Sequence, residues 1–323
     1  MGFDGQEWAA TRTWVDKQLP EGRRLRNWTD LRGGWTSRMR RLTLDDGTGL
    51  VLRSFVKPFF RLHAPGLLNR EAAILTLLAP YDDIPTPRLY AVDPAAELTD
   101  HPSLLMSLLP GSVRVDDDAD LEARLDLLAG QLARIHAVVP AERPRTYQAW
   151  TSPERVTTPG GPLWERAVDV IRREAPAYEG CFLHRDFHPG NVLFTGTDAG
   201  RDTGRDTDAG TDGALRISGV VDWVETSWGP ADLDVAHCST ASALLYGAEY
   251  GLGFRERYEA RGGRRLAQDQ DHLYWRLLDA LAYAPDAEKV AVPWRELGRT
   301  DLTPEVLGAR LEAYVGGVWE RYA

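Results

Sequence analysis

The sequence predicts an α+β fold in two lobes, an N-terminal lobe built on an antiparallel sheet and a larger, mainly helical C-terminal lobe. Three observations carry this. Residues 27–57 alternate in a strand-like way around Gly and Asp-Gly breaks. Beyond Gly111 the apolar residues take up helical spacing instead. At 323 residues with 43% apolar content, the chain can bury a substantial core, enough for two lobes.

Each element follows from local pattern. "MGFDGQEWAATRTWVDKQ" is polar and amphipathic, which predicts a helix and not a signal peptide. "NWTDLRGGWTSRMRRLTLDDGTGLVLRSF" reads as strand, glycine turn, strand, Asp-Asp-Gly-Thr-Gly turn, strand. "NREAAILTLLAPY" (69–81) follows as a helix with one apolar face, and Pro85 and Pro87 then break the chain. "PRLYAVD" and "SLLMSLLPG" predict two more strands, the second ending at Pro110-Gly111. In the helical part, Leu121, Leu125, Leu128, Leu132 and Ile135 form one stripe. Further helices are expected over 161–175, 231–246, 254–260, 270–284 and 303–322, and short strands over 191–195 and 214–222. The Gly/Asp/Thr tract 196–213 between those strands reads as a disordered hairpin loop outside the fold.

Charge limits the partners. The net charge is −10; residues 1–110 carry 14 basic and 13 acidic side chains, and the remainder 24 and 35. An acidic C-terminal part argues against nucleic acid and suits a cationic small molecule. No apolar run reaches the roughly 18–20 residues that span a bilayer, so no membrane role is expected. Two cysteines make no disulfide framework, which predicts a reducing, cytoplasmic setting with Cys181 and Cys238 as buried apolar groups. No feature announces a protein partner.

The densest chemistry lies in "CFLHRDFHPGNVLF" (181–194). His184, Asp186 and His188 could share a strand face and bind a transition metal. Pro189-Gly190 bends the chain at that point, and the other histidines show no metal-like pair spacing. The second reading pairs Asp186 and Asn191 with Asp222, delivered about thirty residues later by the apolar strand of "ISGVVDWVETSWGPADLDVAH" (217–237). Phosphoryl transfer needs such a set. One carboxylate takes or orients the acceptor hydroxyl, while an amide oxygen and a second carboxylate hold Mg²⁺ on the nucleotide phosphates.

HxDxxxxN at 184–191, Asp-Trp at 222–223 and Gly-Pro…Asp-Val-Ala at 229–236 together resemble the aminoglycoside phosphotransferase family. These are small-molecule kinases with the protein-kinase-like fold, and the similarity runs from about residue 27 to the C-terminal helices. The resemblance implies Asp186 as catalytic base, Asn191 and Asp222 as magnesium ligands, and Asp234 as a buried brace for the catalytic loop. His184 and His188 are expected to support that loop. Gly33 and Gly34 match the nucleotide loop, with Ser37 a phosphate contact. Arg53, where Lys is frequent, is expected to pair with Glu71; Lys57 is a second candidate cation. Met106 would lie behind the adenine, with the Ser107 carbonyl and Leu109 N–H hydrogen bonding to it. By the same resemblance residues 1–106 form the nucleotide lobe, 107–111 the hinge and 112–323 the catalytic and acceptor lobe.

The resemblance implies ATP (with GTP left open) and Mg²⁺ as cofactors. It further implies a hydroxylated small-molecule acceptor, an antibiotic or related natural product being the first expectation. A housekeeping kinase for a sugar or amino alcohol and a nucleotide-binding pseudokinase are the alternatives. Glu225, Trp228 and Asp279 are the acceptor-site candidates, with Glu312 and Glu320 on the last helix behind them.

Overall fold

The computed structural model describes residues 8–31, 36–196 and 213–323. The glycine turn at Gly33-Gly34 and nearly all of the 196–213 tract lie outside them. The chain forms two compact units, Met1–Pro110 with Gly219–Val224, and Gly111–Ser218 with Glu225–Ala323. The first of these stretches ends at Pro110. The short segment 219–224, read above as part of the C-terminal lobe, clusters with the first unit.

The first unit holds a five-stranded antiparallel sheet in the order β1-β2-β3-β5-β4. Its strands are β1 (Leu25–Leu31), β2 (Arg38–Leu44), β3 (Gly49–Ser54), β4 (Leu89–Asp93) and β5 (Ser103–Ser107). Helix α1 (Ala9–Gln18) brings Trp14 and Val15 onto Leu42, Leu44, Leu50, Leu52 and Leu105. Strand alternation then puts Arg53 on the face opposite Leu50 and Leu52. Helix α2 (Pro58–Leu78) packs on β4 and β5. It begins eleven residues before the predicted start, because Pro58 is tolerated in a first turn, where its missing N–H is no loss. Its buried stripe runs Ala64, Leu68, Glu71, Leu75, Leu78 at helical spacing, so Glu71 faces inward.

In the second unit, helix α3 (Leu121–His136) and helix α4 (Pro162–Ile171) precede strand β6 (Gly180–Leu183). Strand β7 (Val192–Thr195) and strand β8 (Arg216–Val220) form one two-stranded sheet. Strand β9 (Ser227–Pro230) pairs antiparallel with β6 in another. Then come α5 (Ala231–Tyr246), α6 (Ala248–Leu252), α7 (Phe254–Ala260), α8 (Asp269–Ala280), α9 (Glu288–Glu296) and α10 (Pro304–Tyr322). Every residue of α5 is buried, and α3, α6, α7, α8 and α10 all pack against it. Its Ala, Ser and Cys side chains allow that approach, and Ser239 and Thr240 hydrogen bond back to the carbonyls of Val235 and Ala236. Gly111 begins the unit at φ +89, where a Cβ would lie 2.4 Å from the Phe194 carbonyl oxygen, so no other residue fits.

Elements β9, α6 and α9 were not expected. Each is short, and α9 contains Pro293, a residue that reads as a helix breaker. Among the described residues no helix is long and apolar enough to cross a membrane.

Candidate active site

In the first unit Arg53 is buried at 4% exposure and makes four side-chain hydrogen bonds among the described residues. Its Nη1 donates to Glu71 Oε1 and Oε2, each at 3.0 Å, and to Asp222 Oδ1 at 3.0 Å. Its Nε donates to Ser37 Oγ at 3.1 Å. Burial opposes the guanidinium charge, but Asp222 and Glu71 more than offset it and strengthen Arg53's hold on its proton. The same burial pushes the Glu71 carboxyl up against the pull of Arg53. Arg53 and Glu71 therefore form the expected pair, and Asp222 joins it. Ser37, read as a phosphate contact, holds the guanidinium in place. Lys57 stands at the N-cap of α2. Asp222 itself has φ +66, a conformation costly for a residue with a Cβ. Its segment is held by Arg70 donating to the Val224 carbonyl (2.7 Å), Val220 N–H donating to Pro85 (2.7 Å) and the Trp223 indole donating to Val220 (2.9 Å). Met106 is buried on β5, and Ser107 and Leu109 are half-buried at its end.

In the second unit the site grows from the end of β6. Asp234, on the first turn of α5, is fully buried and accepts from the backbone N–H of His184 (2.8 Å) and Arg185 (2.9 Å) and faces His136 Nε2 at 3.2 Å. Burial works against its charge, yet the hydrogen bond and charge of His136 outweigh that and hold the carboxyl below its ordinary value. Arg185 takes φ +72, and its guanidinium lies 4.3 Å over the Trp150 ring. This turn delivers Asp186.

Asp186 is held from both sides. Asn191 Nδ2 donates to its Oδ2 at 3.0 Å and to its backbone carbonyl at 2.9 Å. His237 Nε2 lies 3.1 Å from its Oδ1. Burial pushes the Asp186 carboxyl up, but the hydrogen bond and charge of His237 overcome this and keep it well below the usual carboxylate range. Both hydrogen bonds from the Asn191 amide nitrogen therefore end on Asp186, which ties the amide plane to the catalytic loop. His184 lies beneath the loop, its Nδ1 accepting from the Asp186 N–H at 3.2 Å. His188 Nδ1 accepts from the Gly190 N–H at 3.0 Å and so caps the short 3₁₀ turn 189–191.

The acceptor candidates divide. Asp279 is buried at 3% exposure, and among the described residues its side-chain hydrogen bond goes to His237. Glu225 is partly exposed and paired with Arg145. Trp228 covers Gly180, at the end of β6 away from the catalytic loop, with Arg143 over its ring at 4.7 Å. Glu312 and Glu320 are exposed on α10. Sequence reading missed His237, Tyr283, Trp150 and His136. His237 had a signal: it stands three residues after Asp234 on a predicted helix, one turn along the same face.

Asp186, His188 and His237 place ligand atoms within 4.8 Å of one another, a set that could hold a metal. The tautomers speak against it. His188 Nδ1 accepts a backbone N–H, so the proton of the neutral ring sits on Nε2, the atom that would have to ligate. His237 meets a carboxylate at each ring nitrogen. Both cysteine thiols are buried, and that burial pushes them far up from their ordinary range, leaving no reactive thiolate.

Fold and site define a phosphotransferase with the kinase-like fold. The family profile described as "Phosphotransferase enzyme family" matches residues 27–204, over half the chain, and this chain belongs to that family. No curated protein matches it in sequence. Solved structures agree in fold. A protein of Ralstonia eutropha JMP134 provisionally named an aminoglycoside phosphotransferase aligns at 20% identity and TM-score 0.60, covering 96% of each chain. Macrolide 2'-phosphotransferase MphH of Brachybacterium faecium aligns at 19% identity and TM-score 0.51, over 93% of this chain and 97% of that one. A thermostable mutant of aminoglycoside phosphotransferase APH(4)-Ia, solved with ADP and hygromycin B, aligns at 17% identity and TM-score 0.59, over 96% and 99%.

Proposed function

We propose that this chain is a cytoplasmic kinase that uses ATP and Mg²⁺ to phosphorylate a hydroxyl of a small natural product of the antibiotic class. The observation that carries this is Asp186, a carboxylate with one oxygen fixed by Asn191 and the other by His237. An ionised, oriented carboxylate can receive the proton of an acceptor hydroxyl as its oxygen attacks the γ-phosphorus, while the bond to the β-phosphate oxygen breaks and ADP leaves. Asn191 and Asp222 offer the oxygen donors that magnesium prefers. Magnesium held by such donors would neutralise charge on the transferred group. Arg53, fixed by Glu71 and Ser37, is suited to pair with phosphate, and the strand end at Ser107 and Leu109 to read the base through its backbone. ADP and AMP-PNP complexes of APH(4)-Ia with hygromycin B support the nucleotide and the acceptor class.

The test is ADP release from Mg²⁺-ATP across aminoglycosides, macrolides, sugars and amino alcohols. Turnover with one antibiotic class establishes the reading, turnover with sugars or amino alcohols alone moves it to a metabolite kinase, and silence with confirmed nucleotide binding means an acceptor outside the panel or a pseudokinase. Asp222→Ala should weaken Mg²⁺-AMP-PNP binding by roughly 10- to 100-fold, the value of a charged ligand interaction. Unchanged affinity by calorimetry would move the metal site elsewhere.

A further inference from the structure

His237 stands between two carboxylates on α5. Its Nε2 lies 3.1 Å from Asp186 Oδ1, and its Nδ1 lies 3.1 Å from Asp279 Oδ1. The Tyr283 hydroxyl is 2.9 Å from Nδ1, with the two rings stacked at 28°. The Trp150 ring meets it edge-on at 4.6 Å, and the His188 ring lies 5.6 Å away. These residues come from the catalytic loop, α8, the segment after α8 and the segment before α4. Among them the charged groups facing His237 are Asp186 and Asp279, with His188 and Tyr283 as the other titratable ones. Asp279 is buried, and its Oδ2 has no hydrogen-bond partner among the described residues. A buried carboxylate so placed is very costly unless a cation stands beside it, and His237 is the group in hydrogen-bond contact.

We propose that His237 is a positioning residue held as an imidazolium by Asp279, which donates from Nε2 to Asp186 Oδ1 and so fixes the plane and the ionised state of the catalytic carboxylate. The relay Asp279–His237–Asp186 supplements Asn191, which grips the opposite oxygen. His237 keeps its own proton throughout; the acceptor's proton goes to Asp186. Asp279 and Asp186 raise the ring's proton affinity against the effect of burial, to about 9, so the cation persists through neutral pH. This deepens the kinase reading and rests on Asp186 as the base.

The test has two arms. Histidine ¹⁵N spectra of the full-length wild type, with His237→Gln to assign the signal among seven histidines, should show both ring nitrogens of His237 protonated at pH 7.5. Asp279→Asn should abolish that pattern. A neutral ring in the wild type, or an unchanged one in Asp279→Asn, overturns the relay whatever the enzyme's activity. The second arm measures ADP release with the fastest acceptor of the panel, or with water as acceptor if none responds. His237→Leu should lower kcat by roughly 10²-fold, the cost of a misplaced reacting group, with AMP-PNP affinity unchanged. His237→Gln, which restores one N–H donor, should recover part of it. Equal losses of kcat, nucleotide affinity and melting temperature in both variants would make His237 merely structural and sink the proposal. If Asp186→Asn were fully active, the base assignment itself would fail, a result the ¹⁵N arm separates from failure of the relay.

Discussion

Asp186→Asn lowers turnover by about 10²- to 10⁴-fold, the usual contribution of a positioned base, and leaves AMP-PNP affinity nearly unchanged. The substitution keeps the size of the side chain and removes its charge. It also turns one oxygen into an NH₂, which must face either the Asn191 amide, a donor, or the His237 ring on α5. The variant therefore loses the proton acceptor and loosens the loop around it. Coupled measurement of ADP release beside a nucleotide titration checks this. Turnover close to wild type would take Asp186 out of the chemistry.

Asp234→Asn should cost about 3–5 kcal/mol of stability, as expected when one member of a buried charged network is removed, and lower the melting temperature by roughly 6–20 °C. Three donors converge on this carboxylate: two backbone N–H groups of the catalytic loop and the His136 ring. Asparagine can accept from only part of that set. The unusual backbone at Arg185 depends on the same anchor, so residual activity should fall with stability. The pH dependence has a definite sign. Because the folded carboxyl titrates below the ordinary value of 3.8, its stabilising share is whole above that pH and is lost as pH falls through the lower folded value. Melting curves of wild type and variant should therefore converge only in acid; a gap that stays constant down to pH 2 would show that the anchor is not electrostatic.

Much of this site was legible because its groups sit close together in sequence. The loop 184–191 gathers its polar groups into one short stretch, so the sequence flagged it as a site; the resemblance assigned the roles, and the internal bonds are a finding of the structure. Arg53 and Glu71 were expected as a pair from the family resemblance, and the structure brings the strand cation and the inward helix acid together. What spacing alone could not show was depth. Asp279 looks like any acid on an amphipathic helix, yet α8 lies against α5 and its carboxylate never reaches solvent. Trp228 looked promising beside a Gly-Pro corner, but its register opposite Phe182 carries its ring over Gly180. His237 and Tyr283 are 46 positions apart, and only tertiary packing brings them together.

Helix α5 carries a consequence for how the protein can change over generations. A helix at a surface offers drift a solvent face, where every third or fourth position accepts almost anything. α5 has no such face. Its polar positions Asp232, Asp234 and His237 are each tied to a group on another segment, His272, His136 and Asp279 respectively. Its apolar positions are closely filled. Mutational tolerance along 231–246 should therefore be uniformly low, without the periodic relief of an ordinary helix. New acceptor preferences would have to be acquired elsewhere in the chain.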